Sequence, residues 1–231
     1  MDTTIFITGA SSGIGRATAL RLAADGARVF AVARSADRLA ALAAEAPGLR
    51  TAVCDVTDEA SVAKAFVACR EAFGPVQVLI NNAGVGLPTP DLAQTDLADL
   101  EAMFATNVRG SFLCAREALR DMLPAGAGHI VNVVSVVGKQ TNPAAPLYCA
   151  SKFGQRGFSS GLADQVLKKG VKVTDINPSA TDTGYWGDRP VPREKMLTAE
   201  DVAEAIRWLL GLPRRVLVRE LDLDSMDWIA K

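Results

Sequence analysis

Short apolar runs alternate along the chain with longer stretches in which apolar residues recur at helical spacing. The runs are rich in valine and isoleucine and apolar at most positions, which is typical of strands buried on both faces of a parallel sheet. Strands are predicted at Thr4–Thr8, Arg28–Ala33, Thr51–Cys54, Val76–Asn81, Ile130–Val134, Val171–Ile176 and Val216–Leu221. Because helical segments separate them, the pattern indicates a doubly wound α/β sheet with helices on both faces.

The segments between the strands carry their own helix signals. Apolar residues recur every three or four positions in Ser61–Phe73, and Thr198 and Asp201 have the spacing of a capping box. No linker or repeat interrupts the pattern, so one domain is predicted over residues 1–231. The segment 184–197 is rich in glycine, proline and charge and is predicted to be an irregular substrate loop.

Charge and length narrow the possible partners. The 231 residues carry a formal net charge of −1 without a basic cluster, so neither nucleic acid nor a membrane is expected as a partner. No apolar stretch approaches the roughly 20 residues that span a bilayer. The N-terminal apolar run leads into a glycine-rich turn, as a first strand does, and a signal peptide is not expected. A cytoplasmic location is therefore predicted.

Cysteine and histidine offer no catalytic or metal-binding pattern. The cysteines at positions 54, 69, 114 and 149 are scattered, so free thiols and no metal site are expected. His129 is the single histidine and precedes an apolar run, which argues against a histidine-based triad.

The sequence TGASSGIG, residues Thr8–Gly15, follows the first predicted strand and precedes a helical pattern. Glycines here permit a tight turn and close approach of the backbone to a pyrophosphate. The helix that follows presents free N–H groups and the positive end of its dipole. This strand–turn–helix context predicts a dinucleotide site.

The end of the second strand indicates which nicotinamide cofactor binds. An NAD site typically places a carboxylate about 20 residues past the glycines; here Ala33 is followed by Arg34. Since a guanidinium can hold a 2′-phosphate, NADP(H) is expected in preference to NAD(H), with a solvated arginine as the alternative. Asp55 is placed to reach the adenine amine, although it is equally typical of a helix start.

Tyr148 and Lys152 are one helical turn apart in the sequence YCASK. A nearby ammonium lowers the pKa of a phenol, so the pair is a candidate general acid/base. Ser135 and the sequence NNAG, residues 81–84, end two strands at the carboxyl edge, where such sheets bind ligands. Asn107 is a polar residue inside a long helical segment, where it also suits bonding to a neighbouring backbone.

The motifs occur together in the order TGASSGIG, NNAG, Asn107, Ser135, YCASK and PSATDT. In this combination they resemble the short-chain dehydrogenase/reductase family, in its compact single-domain branch, over essentially the whole chain. The resemblance implies a seven-stranded Rossmann sheet and a catalytic tetrad of Asn107, Ser135, Tyr148 and Lys152. Tyr148 would be the acid/base and Ser135 would bind the substrate oxygen. Lys152 would lower the pKa of Tyr148 and hold the nicotinamide ribose. Asn107 would anchor a water that passes protons to Lys152.

The motifs and the resemblance together assign the remaining contacts. The predicted cofactor-binding residues are Gly9, Ser11, Ser12, Gly13, Ile14, Gly15, Arg34, Asp55, Val56, Asn81, Ala83, Gly84, Tyr148, Lys152, Pro178, Thr181 and Thr183. The predicted substrate-binding residues are Ser135, Val137, Tyr148, Tyr185 and Trp186. Core or lid packing explains the apolar members of the second set nearly as well.

Two positions depart from the family pattern. Ser12 stands where many NADP-binding relatives have a basic residue, so the 2′-phosphate would rest on Arg34, helped by Ser11 or Ser35. Ser179 follows Pro178 where the family usually has glycine. If that position requires a positive φ, the serine would strain the loop by about 1–2 kcal/mol.

The expected function is hydride transfer between NADP(H) and a carbonyl or alcohol carbon of a small, partly apolar substrate. One alternative is a 3-oxoacyl-[acyl-carrier-protein] reductase, whose carrier would need a basic docking patch; Arg109, Arg116, Arg120 and Arg156 are the candidates. A non-catalytic NADP(H)-binding sensor or scaffold is disfavoured because the whole tetrad is present.

The assembly prediction comes from two apolar-rich helical patterns, Ala102–Met122 and Leu147–Lys168. Apolar side chains beyond the stripe that faces the sheet would leave an exposed patch. The resemblance implies that these helices pack against symmetry mates, so a homodimer or homotetramer is expected.

Overall fold

The computed structural model describes residues 3–89 and 91–229, so the ends of the predicted domain at Met1 and Lys231 lie outside the described residues. The strands are β1 Thr4–Thr8, β2 Arg28–Ala33, β3 Arg50–Val53, β4 Val78–Asn81, β5 Gly128–Val133, β6 Val171–Pro178 and β7 Glu220–Leu223. The helices are α1 Gly13–Ala24, α2 Ala36–Glu45, α3 Glu59–Phe73, α4 Leu97–Phe104, α5 Ser111–Ala125, α6 Pro146–Val166, α7 Ala199–Gly211 and the short α8 Met226–Ile229.

The strands form a parallel seven-stranded sheet in the order β3-β2-β1-β4-β5-β6-β7. The chain reverses its direction of winding between β1 and β4, and at such a switch point the carboxyl ends of neighbouring strands diverge and leave a crevice for a ligand. The predicted doubly wound Rossmann sheet is confirmed.

Alternation along β1 explains why the sheet needs helices on both faces. Phe6 points to one side, where it stacks on Phe66 of α3 with ring centroids 4.0 Å apart, in a core completed by α5 and α6. Ile5 and Ile7 point to the other side and pack against α1, α2 and α7. All of these side chains are fully buried, so the apolar run is satisfied on both faces.

Local signals set several helix ends. The Asp58 carboxylate accepts a hydrogen bond from the Ala60 amide at the start of α3, and Gly74, at φ 81°, ends that helix. Thr198 and Asp201 form the predicted capping box at the start of α7. None of the helices in the described part of the chain is long and apolar enough to cross a membrane.

The seventh strand was predicted too early in the chain. The Val216 amide bonds to the Pro213 carbonyl in a turn, and the ladder with β6 begins only at Glu220. The strand carries Glu220 and Asp222, whose carboxylates bind Lys139 from outside the sheet. The pattern of a buried strand therefore pointed to the apolar residues before β7, which are only partly buried.

Candidate active site

One cleft at the carboxyl edge of the sheet holds most of the predicted site residues. Its volume of about 1020 Å³ lies at the upper end of the roughly 300–1,000 Å³ typical of small-molecule sites. The predicted residues that line it are Gly9, Ser11, Ser12, Gly13, Ile14, Arg34, Asp55, Val56, Ala83, Gly84, Ser135, Val137, Tyr148, Lys152, Pro178, Thr181, Thr183, Tyr185 and Trp186. Gly15, Asn81 and Asn107 lie behind its wall and do not line it.

The glycine turn between β1 and α1 has the shape that a pyrophosphate site requires. Gly9 and Gly13 have φ values of 65° and 52°, which side chains rarely adopt. A Cβ atom on Gly15 would lie 2.5 Å from the Gly9 carbonyl oxygen, so this glycine packs the helix against the turn instead of facing the cleft. The turn brings the N-terminus of α1 to the cleft, where its free amides and dipole favour an anion.

The adenosine end of the cleft is basic. Arg34 lines it, is exposed, and makes neither a hydrogen bond nor an ion pair with another described residue. Arg38, on the first turns of α2, lines the same end and is equally exposed. Ser35 is the N-cap of α2, and its hydroxyl makes no capping hydrogen bond. This end therefore offers two guanidinium groups and a free hydroxyl to a phosphate.

Asp55 lines the same end, but its carboxylate already has protein partners. Its Oδ1 atom accepts hydrogen bonds from the Thr57 amide at 2.9 Å and the Thr57 hydroxyl at 2.8 Å. Burial opposes its ionisation, yet these hydrogen bonds and the charge of Arg34 lower the pKa of Asp55. The carboxylate thus holds the turn before α3, and contact with an adenine amine stays a prediction.

The catalytic candidates meet at the other end of the cleft. Tyr148 and Lys152 lie on the first turns of α6, and the Lys152 Nζ atom is 5.9 Å from the centre of the Tyr148 ring. Ser135 follows β5; its hydroxyl donates to the Pro178 carbonyl at 3.3 Å and accepts from the Val137 amide at 3.3 Å. The Lys152 Nζ atom donates to the Val133 carbonyl at 3.1 Å.

The electrostatics of this pair differ from the expectation. Burial raises the pKa of Tyr148, and the Ser135 hydroxyl opposes this only in part. Burial also lowers the pKa of Lys152 to about 7, so its ammonium form is weakly held at neutral pH. The predicted lowering of the phenol pKa by Lys152 is therefore absent from this state of the protein. A phenol that stays protonated at neutral pH is suited to donate a proton.

Two predicted site residues point away from the cleft. The Asn107 side chain lies in a π-helical turn, Ala105–Gly110, and bonds to both the amide and the carbonyl of Val85 at 2.8 Å. It therefore holds the loop after β4, the backbone role that the sequence left open. The Asn81 side chain donates to Asn132 Oδ1 at 3.0 Å inside the sheet–helix layer. Its contact with the cofactor stays a prediction.

The substrate loop closes over Tyr148. The Tyr185 ring lies 5.8 Å from the Tyr148 ring and contacts Trp186 edge-on at 5.2 Å. Trp186 is fixed by a hydrogen bond from its Nε1 atom to the Thr181 carbonyl at 2.8 Å. The guanidinium of Arg189 stacks 4.8 Å from the Tyr185 ring. The predicted aromatic residues thus form a wall of the cleft next to Tyr148.

The loop after β6 accommodates serine without strain. No residue other than glycine has a positive φ in the described ranges, so Ser179 does not need the conformation that glycine permits. The expected strain is therefore absent. The Ser179 hydroxyl is buried beside the cleft and has no hydrogen-bond partner among the described residues, while Thr181 Oγ1 donates to the Ser179 carbonyl at 3.1 Å. Of these two hydroxyl groups, Ser179 is therefore the one whose proton is not already donated.

Three residues of the cleft were missed from the sequence. Arg38 follows Arg34 by four positions, a spacing that suits a second phosphate contact across a helix start. Arg189 lies in the substrate loop, where only the aromatic residues were singled out. Gly86 allows close packing of Tyr185 on Tyr148, a long-range contact with no local signal.

The comparisons with known proteins agree with this geometry. The family model for short chain dehydrogenase matches residues 3–192. Serine 3-dehydrogenase from Agrobacterium fabrum is 34% identical, over 96% of this chain and 94% of its own. An alcohol dehydrogenase from Thermococcus sibiricus, solved with 5-hydroxy-NADP, has a TM-score of 0.90 and 31% identity, covering 97% of each chain.

A third relative carries a different cofactor. The 3-ketoacyl-(acyl-carrier-protein) reductase from Brucella melitensis, solved with NADH, has a TM-score of 0.90 and 28% identity, covering 98% of each chain. The family match over most of the chain and the identities above 30% confirm the resemblance found in the motifs. This protein belongs to the short-chain dehydrogenase/reductase family and is an NAD(P)-dependent oxidoreductase acting on alcohol or carbonyl groups.

Proposed function

We propose that this protein transfers a hydride between NADP(H) and a carbonyl or alcohol carbon of a small substrate. The observation that carries the proposal is the convergence of Tyr148, Lys152 and Ser135 at one end of a cleft whose other end holds Arg34 and Arg38. The glycine turn fits the pyrophosphate of a dinucleotide, and the Arg34 guanidinium, which has no hydrogen-bond or ion-pair partner among the described residues, fits a 2′-phosphate. When bound, the nicotinamide supplies or accepts the hydride.

The residues of the chain supply the proton and orient the reacting oxygen. Tyr148 donates its phenolic proton to the oxygen in reduction, and in oxidation its phenolate takes the proton of the alcohol. The raised pKa of Tyr148 favours the donating form at neutral pH. Ser135 lies at the same wall with a hydroxyl that can turn to the substrate oxygen. Tyr185 and Trp186 exclude water from that end of the cleft.

Arg34→Ala is expected to weaken NADPH binding roughly ten- to a hundredfold, because one charge-assisted contact to the 2′-phosphate is lost. NADH binding should change little, which makes the same variant its own control. Arg38→Ala should likewise weaken the binding of NADPH more than the binding of NADH. Dissociation constants from quenching of tryptophan fluorescence decide the matter; equal losses for both cofactors would contradict the assignment of Arg34.

The carrier-protein alternative gains little support from the basic residues. Arg116 is paired with Glu59, Arg120 with Glu117 and Arg156 with Glu220. Most of the expected docking charge is therefore neutralised within the chain. The proposed substrate is therefore a small molecule that is not attached to a carrier protein.

Within that class, Arg189 favours a substrate with a carboxylate. Its guanidinium lines the cleft and donates from Nε to the Trp186 carbonyl at 2.8 Å and from Nη2 to the Tyr185 carbonyl. It has no carboxylate partner in the described chain. Stacking on the rings of Tyr185 and Trp186, at 4.8 and 4.9 Å, fixes the orientation of its charge. A 3-hydroxy acid would place its alcohol at Tyr148 and its carboxylate toward Arg189. Serine, from which the relative serine 3-dehydrogenase takes its name, is such a compound.

Arg189→Gln tests this assignment because it removes the charge and keeps a donor. For L-serine and 3-hydroxypropanoate, kcat/KM with NADP⁺ is expected to fall roughly ten- to a hundredfold. For the methyl ester of 3-hydroxypropanoate it should change by less than about twofold. Equal losses on acid and ester would make Arg189 a loop residue only. A wild-type enzyme that prefers the ester would refute the substrate class and leave the oxidoreductase assignment intact.

A homodimer or homotetramer remains part of the proposal. Phe112 on α5 and Phe153 on α6 are each 41% exposed on the two helices named from the sequence. Side chains added at Gly157 and Gly161 would meet no atom within 4 Å, so the α6 backbone is open to close approach there. An apolar, small-residue surface of this kind suits a second copy of the chain.

A further inference from the structure

A row of polar residues crosses the middle of the apolar sheet. Asn81, Asn132 and Asp175 are paired in register on β4, β5 and β6, and all are buried. The Asn81 side chain donates to Asn132 Oδ1 at 3.0 Å, and Asn132 Nδ2 donates to Asp175 Oδ1 at 3.2 Å. Hydrogen bonding thus links the row from the strand of the NNAG motif to a buried carboxyl group.

Polar side chains on one face of helix α6 pack against this row. Lys152, Gln155 and Ser159 lie on one face of the helix, and each is buried. The Ser159 hydroxyl donates to Asp175 and accepts from Asn132 Nδ2 at 2.9 Å. The helix that carries the acid/base pair is therefore seated on Asp175 through a buried polar layer.

Lys152 has only neutral partners in that layer. Its Nζ atom donates to the Val133 carbonyl at 3.1 Å and to Gln155 Oε1 at 2.9 Å. Carbonyl groups offset part of the cost of a buried ammonium, but a negative charge offsets more. The Val133 carbonyl that Lys152 binds lies on β5 opposite Ile176, the residue that follows Asp175 on β6. The carboxyl group of Asp175 thus lies near the ammonium and favours its charged form.

The carboxyl group of Asp175 forms no salt bridge with another described residue. The charged groups that face it are Arg156 and Lys152 on α6 and Glu220 on β7. Glu220 already pairs with Arg156 at 2.7 Å and Lys139 at 2.7 Å. A buried carboxyl group without a close cation costs folding free energy, which points to a use in the site.

We propose that Asp175 is a positioning residue for the reaction: held by Ser159 and Asn132, its carboxylate keeps Lys152 in the ammonium form in the free enzyme. Burial lowers the pKa of Lys152 to about 7 and raises that of Asp175 to about 6. Both groups are therefore mostly charged between about pH 6 and about pH 7. Without the carboxylate the ammonium loses its proton at lower pH.

The test is a direct titration of Lys152 in cofactor-free protein. Lysine side chains labelled with ¹³C at Cε are followed by NMR from pH 5 to 10, and the Lys152 signal is assigned by its absence in Lys152→Met. Asp175→Asn keeps an acceptor for Ser159 and removes the charge. The titration midpoint of Lys152 is expected about one pH unit lower in this variant than in the wild type.

Glu117→Gln is the matched control, since Glu117 is a buried carboxylate on α5 that pairs with Arg120 at 3.1 Å and lies outside the polar layer. It should leave the Lys152 midpoint unchanged. An unchanged midpoint in Asp175→Asn would overturn the proposal. Should that variant fail to fold, Ser159→Ala, which keeps the carboxyl group, is expected to lower the midpoint by less, and no movement there would equally overturn it.

Kinetics provide a second readout, and only this arm rests on the proposed function. In Asp175→Asn the alkaline limb of the pH profile of kcat should move to lower pH, with NADPH affinity at pH 6 little changed. A wild type without NADPH-dependent activity would refute the proposed function. The NMR titration would still test whether Asp175 holds Lys152 in the ammonium form. An active wild type with an unmoved Lys152 midpoint would refute only the role of Asp175.

Discussion

Tyr148→Phe is expected to lower turnover at least roughly 10²–10⁴-fold, the usual contribution of a positioned acid/base. The change removes the phenolic proton and keeps the ring that contacts Tyr185 at 5.8 Å. NADPH affinity and melting temperature should therefore stay near the wild-type values. Single-turnover oxidation of NADPH, followed at 340 nm, separates the chemical step from binding and product release.

Tyr185→Phe is the matched control because Tyr185 is the other tyrosine of the chain and lines the same cleft. This variant also loses a phenolic hydroxyl group, but from a ring whose centre lies 5.8 Å from that of Tyr148. Its turnover should therefore fall by no more than a few fold. Near-normal turnover in Tyr148→Phe would refute the acid/base assignment. A similar loss in both variants would indicate that the cleft, and not the Tyr148 proton, was damaged.

The sheet was predictable because its strands are buried on both faces. In β1 and β2 every position from Ile5 to Thr8 and from Val29 to Ala33 is buried, so the apolar runs and the strands coincide. The glycine turn was predictable for a related reason: Gly9 and Gly13 occupy backbone conformations that side chains rarely adopt. In both cases the constraint is local.

At the edge strand β7, by contrast, the apolar run and the strand do not coincide. Strand β7 contains Glu220 and Asp222, whose carboxylates bind cations from α6 and from the loop after β5. A strand that pairs on one side only needs fewer buried apolar positions. The apolar residues Val216 and Val218 therefore drew the prediction toward the segment before β7.

Contacts between distant segments set the side-chain positions that the sequence pattern does not show. The side chains of Asn81 and Asn107 turn into the layer behind the cleft, because buried amides and carbonyls there need partners. Asp175 lies in a run of otherwise apolar or neutral residues, so the pattern of a buried strand concealed it. The sequence therefore predicted candidate site residues, but not which of their side chains line the cleft.

Gly86→Ala is expected to damage catalysis through the same kind of distant contact. A Cβ atom at this position would lie 2.5 Å from Tyr185 Cε2 and 2.9 Å from Tyr148 Cδ2, distances that require both rings to move. Tyr185 is 37% exposed and can swing outward, whereas Tyr148 is held by the start of α6. Displacement of the acid/base by a fraction of an ångström should lower kcat roughly ten- to a hundredfold.

Gly184→Ala is the matched control in the substrate loop, where an added Cβ would meet no atom within 4 Å. Its kcat should remain within about twofold of the wild type, and both variants should melt within a few degrees of it, since Tyr185 can yield toward solvent. The measurements are kcat and KM for the best substrate, and the melting temperature. Equal kcat losses in Gly86→Ala and Gly184→Ala would show that the loss does not come from the contact between residue 86 and Tyr148. A wild-type kcat in Gly86→Ala would show that Tyr148 does not depend on the space this glycine leaves.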